Sequence, residues 1–107
     1  MGLFGFKKKV NKNTPKYTDL EMVLGKAGQI DKNRLSKLMV NITDQASLEN
    51  IALNSTIDQA RMWAAGSLEN KKIANDVYGL MRYSSDPLIR MAATQEYKTD
   101  FEQTSIT

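Results

Sequence analysis

Cysteine and histidine are both absent from this chain of 107 residues, and the two absences exclude more than any residue present. Without cysteine there is no disulfide framework, no thiolate nucleophile and no Cys-ligated zinc. Without histidine, the commonest general base and metal ligand is missing as well. Together they argue against most hydrolase and metalloenzyme mechanisms. No run approaches the roughly 18 apolar residues that a membrane-spanning helix needs. No stretch sustains the period-two alternation of a strand, and no Asn-Gly hairpin signal occurs. A Gly-rich phosphate loop, a Ser-x-x-Lys pattern and an acidic metal cluster are all missing, so no cofactor and no metal are expected.

What is present is ordinary in amount and uneven in distribution. Hydrophobic residues make up 41% and charged residues 25%, as in soluble globular proteins, and the length fits one domain with a small core. The net charge of +3 belongs to the start of the chain. Residues 1–16 carry five lysines and no acid, whereas residues 17–107 hold ten basic and twelve acidic side chains. A body with net charge −2 lacks the basic platform that nucleic acid requires. In the leader, Leu3, Phe4 and Phe6 stand beside Lys7, Lys8 and Lys9. That pairing suits contact with an anionic membrane surface, where each lysine is worth about 1 kcal/mol; a basic tail without such a role is the plainer reading. The apolar residues precede the lysines, the reverse of a secretory signal, and Phe6 stands where a myristoylation site wants Ser or Thr. A cytoplasmic protein is expected.

The chain echoes itself. A shift of 29 residues sets Ser55 on Ser84, Ile51 on Leu80, Arg61 on Arg90, Met62 on Met91 and Ala64 on Ala93. A shift of 27 sets Ile30-Asp31 on Ile57-Asp58 and Arg34 on Arg61. Periods of this size mark stacked repeats, here three units over about residues 16–41, 43–69 and 70–97.

Each unit reads as two helices. Thr18 with Glu21 forms a capping box, Leu20, Val23, Leu24 and Ala27 share a face, and Gly28 is the expected stop. Asp31 opens a second helix bearing Leu35, Leu38, Met39 and Ile42. Thr43-Asp44 opens a third, with Leu48, Ile51 and Ala52. Ser55-x-x-Asp58 is a capping pattern for a fourth, which turns Ile57, Ala60, Ala64 and Leu68 inward. The small run Ala64 to Ser67 permits close approach of a neighbour. Asn70 caps a fifth, with Ile73, Val77, Leu80 and Met81 as its stripe. Asp86 caps a sixth, with Pro87 at its first position, where the missing N–H costs nothing. The methionines, Met22, Met39, Met62, Met81 and Met91 among them, read as core filler. Lys98 to Thr107 is polar apart from Phe101 and Ile106 and is expected to fray, although Thr99 with Glu102 could begin a further turn.

The run Ser85-Asp86-Pro87-Leu88-Ile89-Arg90-Met91-Ala92-Ala93 resembles the second helix of a short bacterial HEAT repeat of the phycobilisome-lyase type, which opens Asp-Pro-x-x-Arg and then packs on alanines. The resemblance is good in the third unit, fair in the second and thin in the first; Asp31 and Asp58 lie three residues before their arginines, not four, and lack the proline. It implies an all-α superhelical stack of about three helical hairpins over residues 17–97, between a basic leader (1–16) and a polar tail (98–107). Asp31, Asp58 and Asp86 would cap helices, and Arg34, Arg61 and Arg90 would reach to the turn of an adjacent repeat. It also implies a groove lined by the second helices and used to bind another protein, or a second copy of the chain. Trp63, whose counterparts are Ser36 and Ala92, either fills space between helices or anchors a partner, with Gln59 one turn away. Tyr78 and Tyr83 align with Glu49 and Asn54, so they are expected to be partly exposed and to join that surface. A non-catalytic scaffold is the reading that results, with a membrane adaptor and a nucleic-acid module as alternatives.

Overall fold

The computed structural model describes residues 16–99. Among them it shows six helices and no strand: α1 (Asp19–Leu24), α2 (Lys32–Met39), α3 (Gln45–Asn54), α4 (Asp58–Gly66), α5 (Lys71–Met81) and α6 (Pro87–Glu96). Residues Leu3, Phe4, Phe6, Lys7, Lys8 and Lys9, and Phe101, Glu102 and Ile106, lie outside the described range.

Most helix starts follow from the residue before them. The Thr18 hydroxyl accepts from the Glu21 N–H and the Glu21 carboxylate accepts from the Thr18 N–H, which completes the capping box. Asp31, Asp44, Asn70 and Asp86 each accept a backbone N–H from the first turn of α2, α3, α5 and α6, caps worth about 1 kcal/mol each. Pro87 is the first residue of α6. The fourth start departs from this pattern. The residue before α4 is Ile57, which offers no side-chain cap, and Asp58 lies inside the first turn. Asp58 is therefore no cap, and its carboxylate accepts instead from the Ser84 hydroxyl at 2.6 Å.

Contacts join helices one and two places apart along the chain, so α1, α3 and α5 form one row and α2, α4 and α6 a second. Between the rows lies the core, where Val23, Leu35, Ile51, Leu68 and Val77 are fully buried, each contributing about 1.5–3 kcal/mol. On α4 the buried residues are Ala60, Ala64 and Ala65, and these small side chains bring the neighbouring backbones close. Leu48, Ala52, Ile57, Ala74, Met81, Ile89 and Ala93 complete the inward set. Leu80 and Met91 do not join it and are 56% and 59% exposed. Their counterparts Ile51 and Met62 are covered by α5 and α6, whereas no described helix follows the last pair.

α1 ends earlier than the spacing of its apolar residues suggests. Gly25, at φ +92°, is the C-terminal cap, and Ala27 is exposed. A side chain at Gly25 would collide with Thr56. The bare glycine lets the 55–56 turn reach the end of α1. There the Ser55 hydroxyl donates to the Val23 carbonyl at 2.6 Å and the Thr56 N–H donates to the Leu24 carbonyl at 3.1 Å. Ser55 also accepts from the Ile57 N–H, as Ser84 does from Asp86. This serine column ties each unit to the one before it.

The arginines act more locally than the resemblance implies. Arg61 donates to the Ala52 and Leu53 carbonyls at 2.8 and 3.3 Å, and Arg90 donates to the Ser84 carbonyl at 2.8 Å. Both close their own helix pair rather than an adjacent one, and the exposed Arg34 side chain has no partner among the described residues. The expected fraying from Lys98 is also corrected at its first residue. Asn75, almost fully buried, accepts from the Lys98 N–H and donates to its carbonyl, while Tyr97 lies against Gly79 and under the Arg82 guanidinium.

Two substitutions test the seam between the first units. Ser55→Ala strands a buried carbonyl and a buried N–H and should cost about 1–3 kcal/mol in urea unfolding; exposed Ser85→Ala should stay within about 0.5 kcal/mol. Gly25→Ala should cost more than Gly28→Ala. Both have positive φ, but only Gly25 has a neighbour in the way.

Candidate binding face

The row α2, α4, α6 presents one face on which residues repeat every four positions. From α2 and its C-cap it carries Lys32, Ser36 and Val40, from α4 and its C-cap Gln59, Trp63 and Ser67, and from α6 Leu88, Ala92 and Glu96. The shifts of 27 and 29 residues align these three sets position by position. All nine border surface hollows. Trp63 is the central member, half-buried and packed on the core, with Ser36 and Ala92 as its lateral neighbours and Gln59 and Ser67 one turn away on α4.

A large ring between small neighbours leaves space on both sides. Between α4 and α6 lies a hollow of about 690 Å³, bordered by Trp63, Gln59, Ala74, Tyr78 and Glu96. Between α2 and α4 lies a second, of about 300 Å³, bordered by Trp63, Met39, Val40 and Leu48. The indole is thus a ridge with a hollow on each flank. A third depression of about 530 Å³ runs across the starts of the three helices, where Lys32, Asp58, Gln59, Asp86 and Leu88 meet.

The structure therefore brings Gln59, Trp63 and Tyr78 together and leaves Tyr83 outside. Tyr83 is 78% exposed, borders neither Trp63 hollow and lies 5.4 Å from the Arg82 guanidinium. Of the repeat residues singled out from the sequence, Asp58 and Asp86 reach the third depression, whereas Arg61 and Arg90 close helix ends. Val40 and Leu88, 72% and 71% exposed, are members of the face that the sequence reading passed over. Stepping four residues to either side of the Ser36, Trp63, Ala92 column would have found both.

Only some polar groups on or beside the face are committed. The Ser36 hydroxyl donates to the Asn33 carbonyl and that of Ser67 to the Trp63 carbonyl, and the Lys71 amine donates to the Leu68 carbonyl at 2.7 Å. The Gln59 amide, the Lys32 amine, the Glu96 carboxylate and the Trp63 indole N–H have no hydrogen-bond partner among the described residues. Burial pushes the Tyr78 phenol above its ordinary value, and the nearby Glu96 carboxylate adds to the rise. No group of three or more metal-ligating side chains occurs among the described residues, and no described helix is long and apolar enough to cross a membrane.

Compared with known proteins, the chain matches no family model, no curated protein and no solved structure.

The Tyr78 shift has a sign that can be checked. A phenol whose folded value is raised keeps its contribution below the unfolded value near 10 and loses it as pH rises through the folded one. Stability of the wild type should therefore fall more steeply above pH 10 than that of Tyr78→Phe, measured by urea unfolding across that range. Glu96→Gln should lower the Tyr78 titration midpoint without returning it to the ordinary value, because burial is the larger cause.

Proposed function

We propose that this protein is a non-catalytic scaffold that holds a partner protein against the α2, α4, α6 face, with Trp63 as the anchor. One observation carries the reading: the sole tryptophan stands at the centre of a repeating face, among small side chains, with a hollow on each side. Binding energy concentrates in such central, partly desolvated aromatic anchors. The lack of cysteine and histidine supports a role without chemistry, and a repeat face supplies surface rather than a reactive cleft.

Helix pairs with two parallel rows, recurring at 27 and 29 residues, support a short HEAT-like array as the architecture, and the cytoplasm is proposed as its place of work. A second copy of the chain remains among the partners that such a face would accept. The membrane reading rests on residues outside the described range, and nothing on the face favours nucleic acid.

Photocrosslinking tests the scaffold reading. A benzophenone side chain at position 92, beside Trp63, should trap one dominant protein in the producing cells. The same group at position 53, on α3, should not trap it. Gln59→Ala should weaken the crosslink and Trp63→Ala should remove it, with helicity by circular dichroism showing that each variant remains folded. Equal trapping from positions 53 and 92, or a crosslink indifferent to Trp63, would sink the reading.

A further inference from the structure

We infer that the occupant of this face is an amphipathic α-helix of the partner, lying obliquely across α2, α4 and α6 with its apolar side chains on the line Val40, Trp63, Leu88. This rests on the scaffold reading and names the kind of ligand. The face has four corners. Two diagonal corners, Val40 and Leu88, are large, apolar and about 70% exposed, and Trp63 lies midway between them. The other two, Lys32 and Glu96, are charged. The large apolar residues of the face therefore form one oblique stripe, not a patch.

The lack of a strand edge among the described residues decides between a helix and an extended chain. A buried strand must find partners for its own N–H and C=O groups. Here the described helices bond their own main chain. Only scattered side-chain groups, the Gln59 amide, the Trp63 indole N–H and the hydroxyls of Ser36 and Ser67, which already donate within their own turns, could answer such a strand at the Trp63 level. A helix satisfies its backbone internally and asks only for apolar contact.

Spacing then fixes the pattern. Packed helices stand about 8–10 Å apart, and four residues advance about 6 Å along a helix. One step along the line is therefore about 10–12 Å. In a helical ligand that distance is about seven or eight residues. Anchors seven residues apart return to the same face after two turns, so three of them require about 15 residues.

Charge complementarity fixes the orientation about that line. On the side of the helix starts, Asp58 and Asp86 outnumber Lys32. On the opposite side, Lys71 and Lys98 outnumber Glu96. The incoming helix should carry basic residues along the first flank and acidic residues along the second; the reversed arrangement places like charges together.

The test uses the whole chain and two displayed libraries of 18-residue peptides without tryptophan. One fixes apolar residues at i, i+7 and i+14, and the other carries the same pattern with a central proline. We expect enrichment from the first library only, with basic and acidic flanks as stated. Titration of a selected peptide should shift the emission of Trp63 in a saturable way. Val40→Asp and Leu88→Asp should each weaken binding at least tenfold with helicity unchanged, whereas Leu53→Asp on α3 should not. Enrichment only of proline-interrupted peptides would overturn the helix and leave the scaffold standing. Helical peptides indifferent to Val40 and Leu88 would overturn the line. No enrichment from either library also overturns the helix, and the crosslink at position 92 then judges the scaffold separately.

Discussion

Short helices are mostly ends. An α-helix leaves its first four N–H and last four C=O groups without internal partners, and the six described here have only 6 to 11 residues each. Satisfying those groups is the constraint on which the rest depends. The fold meets it with side chains reaching out of neighbouring turns. The Ser55 hydroxyl and a main-chain amide serve the end of α1, Arg61 serves the end of α3, and Lys71 holds the Leu68 carbonyl in the turn after α4. Gln45 grips both Ser67 and Glu69, as Asn75 grips Lys98. Packing and capping are therefore not separate tasks, since the groups that close one helix also locate the next.

Much of this was legible in the sequence, because helix starts and buried stripes are local and periodic. The capping box at Thr18, the caps at Asp31, Asp44, Asn70 and Asp86 and the inward set of α3 and α4 follow from spacing alone. Helix ends were less legible. The apolar spacing carries α1 on to Gly28, whereas the stop at Gly25 depends on Thr56, thirty-one positions away. Likewise Asp58 resembles a cap, yet its partner is a serine of the next unit. Long-range partners of this kind leave no periodic trace.

The binding face was half legible. Trp63 stood out because its column neighbours are small, and Gln59 followed from helical geometry. Tyr83 was misplaced because it follows α5, in the other row, and its alignment with Asn54 marks it as exposed without saying which face it joins. The oblique stripe from Val40 to Leu88 emerges only when three helices are laid parallel, and no single helix carries more than one of its members. A surface assembled in this way can change specificity at one corner without disturbing the core, because Val40 and Leu88 are exposed while the residues beneath them are not.

One property follows from how the units are joined. Among the described residues, the seams are closed mainly by hydroxyls, amides and main chain, and the two formal charges brought to them, Asp58 and Lys71, each meet a neutral partner. The recorded ion pair, Lys72 with Asp76, is exposed and lies within a single helix. Dissolved ions weaken attraction between separated charges far more than a hydroxyl held against a carbonyl. Brine that would loosen an array joined by opposite charges should pass over these joints, so the shape of the face persists whatever the ionic strength of its surroundings.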